Sequence, residues 1–204
     1  QSNKEIEAKP YSPIEAIALL KKVATAKFIE SVEAHIALNI DPRYSDQQLR
    51  TTLILPKNTG KTKRIAVLKQ KKKITPEIQT LGDIVGSETL IDSITRGELN
   101  FDILLATPDM MPKLAKLGRI LGPKGLMPSP KAGTVTTDIL SAINEFKGGK
   151  IEYRADKTGI VHLSFGKVNF STDDLLENLT SVYTSIEQNK PTGVKGRYFK
   201  TLYI

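Results

Sequence analysis

The sequence predicts an α+β domain, an antiparallel sheet with helices, interrupted by an inserted α/β domain built on a parallel sheet. Three observations predict it. Residues 32–40 alternate, with Val32, Ala34, Ile36, Leu38 and Ile40 facing one way, as in a strand covered on one side. Residues 65–68 and 103–106 are instead continuously apolar, as in strands covered on both sides, and helical segments lie between and after them. After Gly149 the pattern reverts to alternating strands and one long amphipathic helix.

The elements follow in order. Ser12, Pro13 and Glu15 form a capping box with proline at the first helical position, and Ile14, Ile17, Ala18 and Leu20 make an apolar stripe. The strand at 32–40 ends at Asp41-Pro42, and Thr51–Leu55 is a second strand stopped by Pro56. Beyond Lys63 come the buried strand 65–68, a short helix opened by Thr75-Pro76-Glu77, and another capped by Ser87 with Leu90, Ile91 and Ile94 inward. The second buried strand, 103–106, runs into Thr107-Pro108-Asp109, a cap, a first-position proline and an acid suited to a helix start. A loop rich in Gly and Pro spans Gly122–Gly133, and Asp138 opens a helix ending near Lys147. Residues 150–154 and 160–165 read as strands of a hairpin, with Gly159 available for positive φ. Ser171 and Asp174 start a helix with Leu175, Leu176, Leu179, Val182 and Ile186 inside, and a strand from about Arg197 to Ile204 closes the pattern.

The N-terminal helix and strands are too few for a core of their own. Pairing them with the C-terminal elements makes residues 1–63 plus 149–204 one domain. Residues 64–148 form the inserted, Rossmann-like α/β domain, and Lys63, Gly148 and Gly149 at the two crossings are the expected hinge.

Composition narrows the chemistry. The 204 residues hold no cysteine, which removes disulfides, thiolate metal sites and cysteine nucleophiles, and the two histidines, His35 and His162, are far apart in sequence. No metal site and no cofactor are expected. Asn58-Thr-Gly-Lys-Thr62 resembles the tail of a phosphate-binding loop, but Leu55 stands where that loop needs its first glycine. Asp102 and Asp109 form a possible carboxylate pair, or else a strand-end residue and a helix-start acid. No nucleophile, base and oxyanion site assemble, so no enzyme is expected.

Charge points elsewhere. Thirty Lys+Arg against 22 Asp+Glu give +8. Gln47–Pro76 carries nine basic residues and no acid, Met110–Thr137 five and no acid, and Gln188–Ile204 four more. Separate blocks of one sign fit several surfaces set against phosphate. The stiff loop Leu121–Thr134, with Lys124 and Lys131, is either a partner-binding loop or a rigid connection.

That loop, preceded by Thr107-Pro-Asp-Met-Met111, resembles the universal stalk-protein family of the large ribosomal subunit, its protein number one. Lys27–His35, Asp41–Asp46, Leu55–Gly60, Arg154–Gly159 and Lys190–Gly196 match in order, so the resemblance covers nearly everything from Pro13, and it lies nearer the bacterial and organellar branch. It implies a structural component of the large subunit whose discontinuous domain binds rRNA at the mobile stalk beside the tRNA exit site. The resemblance further implies that the protein assists release of deacylated tRNA there. It also implies, as an alternative activity, binding of the protein's own messenger to repress translation. The implied partners are rRNA, exit-site tRNA, other ribosomal components and that messenger, with no membrane and no small-molecule substrate.

Carried over by position, the resemblance implies an rRNA face of Lys27, Phe28, Glu30 and Ser31, then Asp156, Lys157, Thr158, His162 and Lys167, and Thr201 on the last strand. Lysines would neutralise phosphates and Ser31, Thr158 and Thr201 would bond 2′-hydroxyls, while Glu30 and Asp156 would accept from ribose hydroxyls or base amines, or hold lysines. Phe28 has an alternative: counting back by twos from Val32 puts it on the inward parity, so only a break near Glu30 frees it for RNA. His162 could equally be a satisfied hairpin residue. Departures from the family are Ile29 and Ala155, where it often has Asp and Asn, and the stop at Ile204, where it continues into a Met-Gly-containing tail. The first residue, Gln1, suggests a processed leader and a chloroplast, with a bacterial cytoplasm as the alternative.

Overall fold

The computed structural model describes residues 6, 7, 9–58 and 63–204. In chain order the elements are α1 (Pro13–Val23), β1 (Ser31–Leu38), β2 (Arg50–Ile54), β3 (Ile65–Leu68), α2 (Pro76–Leu81), β4 (Ile84–Gly86), α3 (Glu88–Thr95) and β5 (Ile103–Ala106). They continue with α4 (Met111–Ala115), α5 (Gly118–Leu121), α6 (Ile139–Lys147), β6 (Lys150–Arg154), β7 (Ile160–Lys167), α7 (Thr172–Gln188) and β8 (Phe199–Tyr203). The chain divides into two compact units, residues 1–60 with 151–204, and residues 61–150. Lys63, Gly148 and Gly149 therefore fall inside the second unit. Gly148 caps α6, Gly149 takes φ 107°, and Lys63 Nζ donates to Lys150 O at 3.4 Å. The Gly60-Lys61-Thr62 tripeptide lies outside the described residues.

In the first unit β1 is the centre of a three-stranded antiparallel sheet, ordered β7-β1-β8. Its inward residues Val32, Ala34, Ile36 and Leu38 are all buried, against Val161, Leu163 and Phe165 of β7. Leu175, Leu179, Val182 and Ile186 of α7 and Ile17 of α1 complete that core. Ser12 caps α1 with the full capping box, and Ser171 Oγ accepts from Asp174 N at 3.0 Å to cap α7. Ile14, expected in the stripe of α1, is 57% exposed; only Ile17 and Leu20 reach the core, because α1 packs on α7 along a narrow arc.

A bulge in β7 decides which way its last residues point. Val32 pairs with Gly166 and Glu33 with Ser164, so Phe165 is an extra residue without a partner on β1. Phe165 and Gly166 are both buried, and the parity then inverts, so Lys167 opposes Ser31 on the outer side. The carbonyl of Phe165 is taken by Asn178 Nδ2 of α7 at 2.7 Å. Asn178, fully buried, also bonds both backbone groups of Lys57, each at 2.9 Å. At Gly166 a Cβ would meet Leu175 Cδ2 at 2.3 Å, so a side chain there would force Leu175 of α7 to shift.

The expected hairpin of 150–154 with 160–165 is not one sheet. β6 pairs with β2, and β7 with β1. The bridge Ala155–Val161, the bond from Asp156 N to Ile160 O, 2.9 Å, and side-chain bonds of Asp156 join them across the turn, where Gly159 takes φ 80°. A tight turn fixes its own residues but not the partners of the strands it joins.

In the second unit β4, β3 and β5 form a parallel sheet in that order. Residues of β3 alternate between two cores: Ala66 and Leu68 face α3, α4 and α5, while Ile65 and Val67 face α2 and α6. That two-sided cover is why every residue of β3 is fully buried. The three-residue strand β4 has no counterpart in the expected elements. Thr107 does not cap a helix: Pro108–Met110 is a 3-10 turn leading into α4, and Thr107 Oγ1 is buried without a partner. Asp102 and Asp109 flank β5 at opposite ends, so they are not a pair; Asp102 Oδ2 accepts from Arg64 N at 2.9 Å. The Gly/Pro loop is held by local bonds. Ser129 and Thr134 bond each other three times, and Val135 then bridges Ala106 in parallel.

Candidate nucleic-acid interface

With α1 and α7 covering its inner side, the β7-β1-β8 sheet leaves its outer side exposed. The register lays the outward residues in four rows. Ser31 stands beside Lys167, and Glu33 beside Ser164. His35 lies between His162 and Tyr203, and Ala37 between Ile160 and Thr201. From Ser31 to Ala37 the rows extend roughly 20 Å along the strand.

At one end of the face the chain enters β1 through a bend at Lys27-Phe28. The bend breaks the period of two before the strand begins at Ser31, and Phe28 is 74% exposed. Glu30 is half-buried, and its carbonyl accepts from Val168 N at 3.1 Å, extending the β1–β7 ladder by one bond. Next to it Lys167 Nζ donates to Ser31 Oγ at 2.9 Å. An ammonium has three donors, so two remain for a phosphate.

The turn before β7 lies at the other end. Asp156 Oδ1 accepts from Thr158 N at 2.8 Å, Thr158 Oγ1 at 2.7 Å and Ile160 N at 2.9 Å. Oδ2 lies 3.4 Å from His162 Nε2. Partial burial acts to raise the Asp156 carboxyl. The bonds from Thr158, Ile160 and His162 outweigh it and hold the group at about 2, against an ordinary 3.8. Asp156 is thus committed to its own turn, which fixes the exposed Lys157 and Thr158 beside it. The Thr158 hydroxyl spends its hydrogen on Asp156 and keeps lone pairs for an outside donor.

Because its folded pKa is depressed, Asp156 contributes stability that is present above about pH 4 and lost as the pH falls toward 2. Asp156→Asn is expected to melt lower than the parent at neutral pH, with the gap closing below pH 4. A gap that stays constant down to pH 2.5 would contradict the assignment.

The structure therefore groups the expected residues at two ends of one face. Ser31 and Lys167 are at one end, with Lys27, Phe28 and Glu30 in the segment just before β1, and His162 lies toward the other, after the turn that holds Asp156, Lys157 and Thr158, with Thr201 across β1 from Ile160. Sequence reasoning missed Glu33, His35, Ser164 and Tyr203, which complete the same rows. The signal available was the parity of β1: with 32, 34, 36 and 38 inward, 33 and 35 must point out. Among the described residues, no group of three His, Cys, Asp or Glu side chains could hold a metal ion, and no helix is long and apolar enough to cross a membrane.

An antiparallel α+β unit built from both ends of the chain, around an inserted parallel α/β unit, is the architecture of a two-domain ribosomal protein. Residues 20–204 match the ribosomal protein L1p/L10e family, and the chain belongs to that family. Over 200 residues, 98% of its length, it is 63% identical to the large ribosomal subunit protein uL1c of Guillardia theta, of which 86% is covered. Over the same share it is 61% identical to uL1c of Rhodomonas salina, covering 86% of that protein. It is 60% identical to the large ribosomal subunit protein uL1 of Thermosynechococcus vestitus, covering 84%.

Proposed function

We propose that the chain is a structural component of the large ribosomal subunit. Its open sheet face binds large-subunit rRNA at the mobile stalk beside the tRNA exit site, where it assists release of deacylated tRNA. The observation that carries this reading is Phe28, 74% exposed just before a face that carries hydroxyls, two imidazoles and Lys167. An exposed aromatic ring beside such polar groups suits a ribose or an unstacked base, and Lys27, Lys157 and Lys167 suit the phosphates on either side. Ser31, Thr158 and Thr201 meet 2′-hydroxyls. Asp156 holds the turn that presents Lys157 and Thr158.

The family and the names of the relatives support the ribosome as the location, and the two proteins named uL1c support a chloroplast ribosome. In this reading residues 1–63 with 149–204 hold the RNA. The inserted residues 64–148 add reach and turn on a hinge at Lys63, Gly148 and Gly149. No chemical step is assigned to either part.

The reading is tested with purified large subunits and an rRNA stalk fragment. The protein is expected to co-sediment with large subunits in moderate salt. Its log affinity for the fragment should fall linearly with log salt, with a slope of about 2 or more, since each of three lysines releases nearly one counterion. A flat plot would remove the phosphate contacts, and preferential capture of the free messenger over the stalk fragment would move the function to the messenger.

A further inference from the structure

Two histidines that are 127 residues apart in sequence meet on the outer face, where His35 Nδ1 and His162 Nδ1 lie 2.8 Å apart. Their rings are edge to face, 5.0 Å between centroids and 62° between planes. A hydrogen bond between two ring nitrogens needs one bare nitrogen and one N–H, so both rings cannot be fully protonated in this arrangement. Asp156 Oδ2, beside His162 Nε2, decides the order. An ionised carboxylate there keeps the His162 proton on Nε2, which leaves His162 Nδ1 bare and makes His35 Nδ1 the donor. His35 Nε2 then has no partner among the described residues and stands on the exposed row between His162 and Tyr203.

We propose that His35 is a further RNA-binding residue: the His35–His162 pair takes up one proton, on His35 Nε2, and presents it to a phosphate oxygen. This rests on the sheet face being the RNA site. Protonation at Nε2 leaves the Nδ1–Nδ1 bond intact, whereas a second proton, on His162 Nδ1, would break it. The pair thus gains one charge, at His35 Nε2. The charged and titratable neighbours are Glu33 on β1, Asp156 and Lys157 in the turn before β7, Tyr203 on β8, and Lys167 at the far end of β7. A phosphate bound at Nε2 favours the added proton, so affinity must rise as the pH falls through the range where imidazoles titrate.

The test compares the parent protein with His35→Asn at constant ionic strength, using the rRNA stalk fragment, from pH 8 to about 5.5. Asn keeps an N–H for His162 but has no proton to gain. The parent is expected to bind several-fold tighter at the acid end, and His35→Asn to show no such gain. Nitrogen-15 imidazole spectra of the free parent at neutral pH should show His162 as the Nε2–H tautomer and His35 as the Nδ1–H tautomer. Equal pH profiles for the two proteins, or two Nε2–H tautomers, would overturn the proposal while leaving the RNA reading in place. A parent that binds the fragment at no pH would overturn both.

Discussion

Phe28→Ala is expected to lower affinity for the rRNA stalk fragment about tenfold or more while leaving the melting temperature near the parent's. The ring is 74% exposed, so little apolar contact within the protein is lost when it is cut back. A base or ribose stacked on it loses roughly 1–3 kcal/mol of contact. Phe165 is the control. It is fully buried in the same sheet, and Phe165→Ala should cost roughly 3–5 kcal/mol of stability. Thermal melts and RNA titrations of both variants check the contrast. A large melting drop for Phe28→Ala, with affinity per folded molecule unchanged, would return Phe28 to the core and take it out of the site.

Asn178→Leu should be among the most destabilising single changes in the first unit. Its shape is nearly conserved, so packing is not what is lost. Three backbone groups are: Phe165 O, Lys57 N and Lys57 O all lose the partner they have in Asn178. A buried polar group left unpaired costs about 1–3 kcal/mol, so the change should cost on the order of 3 kcal/mol or more. Denaturant unfolding measures it. A cost under about 1 kcal/mol would mean that water or a shift of the bulge replaces those bonds. The bulge itself gives a second readout. If Phe165 is no longer held, the register beyond it loosens, and Lys167 drifts from Ser31 on the outer face.

The face was legible in the sequence wherever one period governed it. Alternation through Val32, Ala34, Ile36 and Leu38 placed the inner side of β1, and so the outer side of His35. The same logic failed in β7. Val161, Leu163 and Phe165 keep the period, which would send Lys167 inward, and the extra residue shows only in the pairing with β1. Residues 155–159 read correctly as a turn but wrongly as a hairpin, since the competing partner β1 lies far back in the chain. Asn178 sat within a readable apolar stripe, among Leu175, Leu179 and Val182, where its polarity hid a buried role. Asp156 was picked out by resemblance as an RNA group. Its three short bonds to its own turn are a local geometry that residue type alone cannot show.

The central position of β1 also sets a timetable. Both of its neighbours are made late: the contact between Ser31 and Lys167 spans 136 residues, and β8 comes after that. At ordinary synthesis speeds β1 therefore waits on the order of ten seconds with both edges unpaired. The inserted unit, whose strands are close in sequence, can complete its sheet during that wait. A nascent chain caught before β7 thus carries a folded insert and an open, apolar strand behind it. That is the stage at which this protein is most exposed to aggregation, and the stage a chaperone would have to cover.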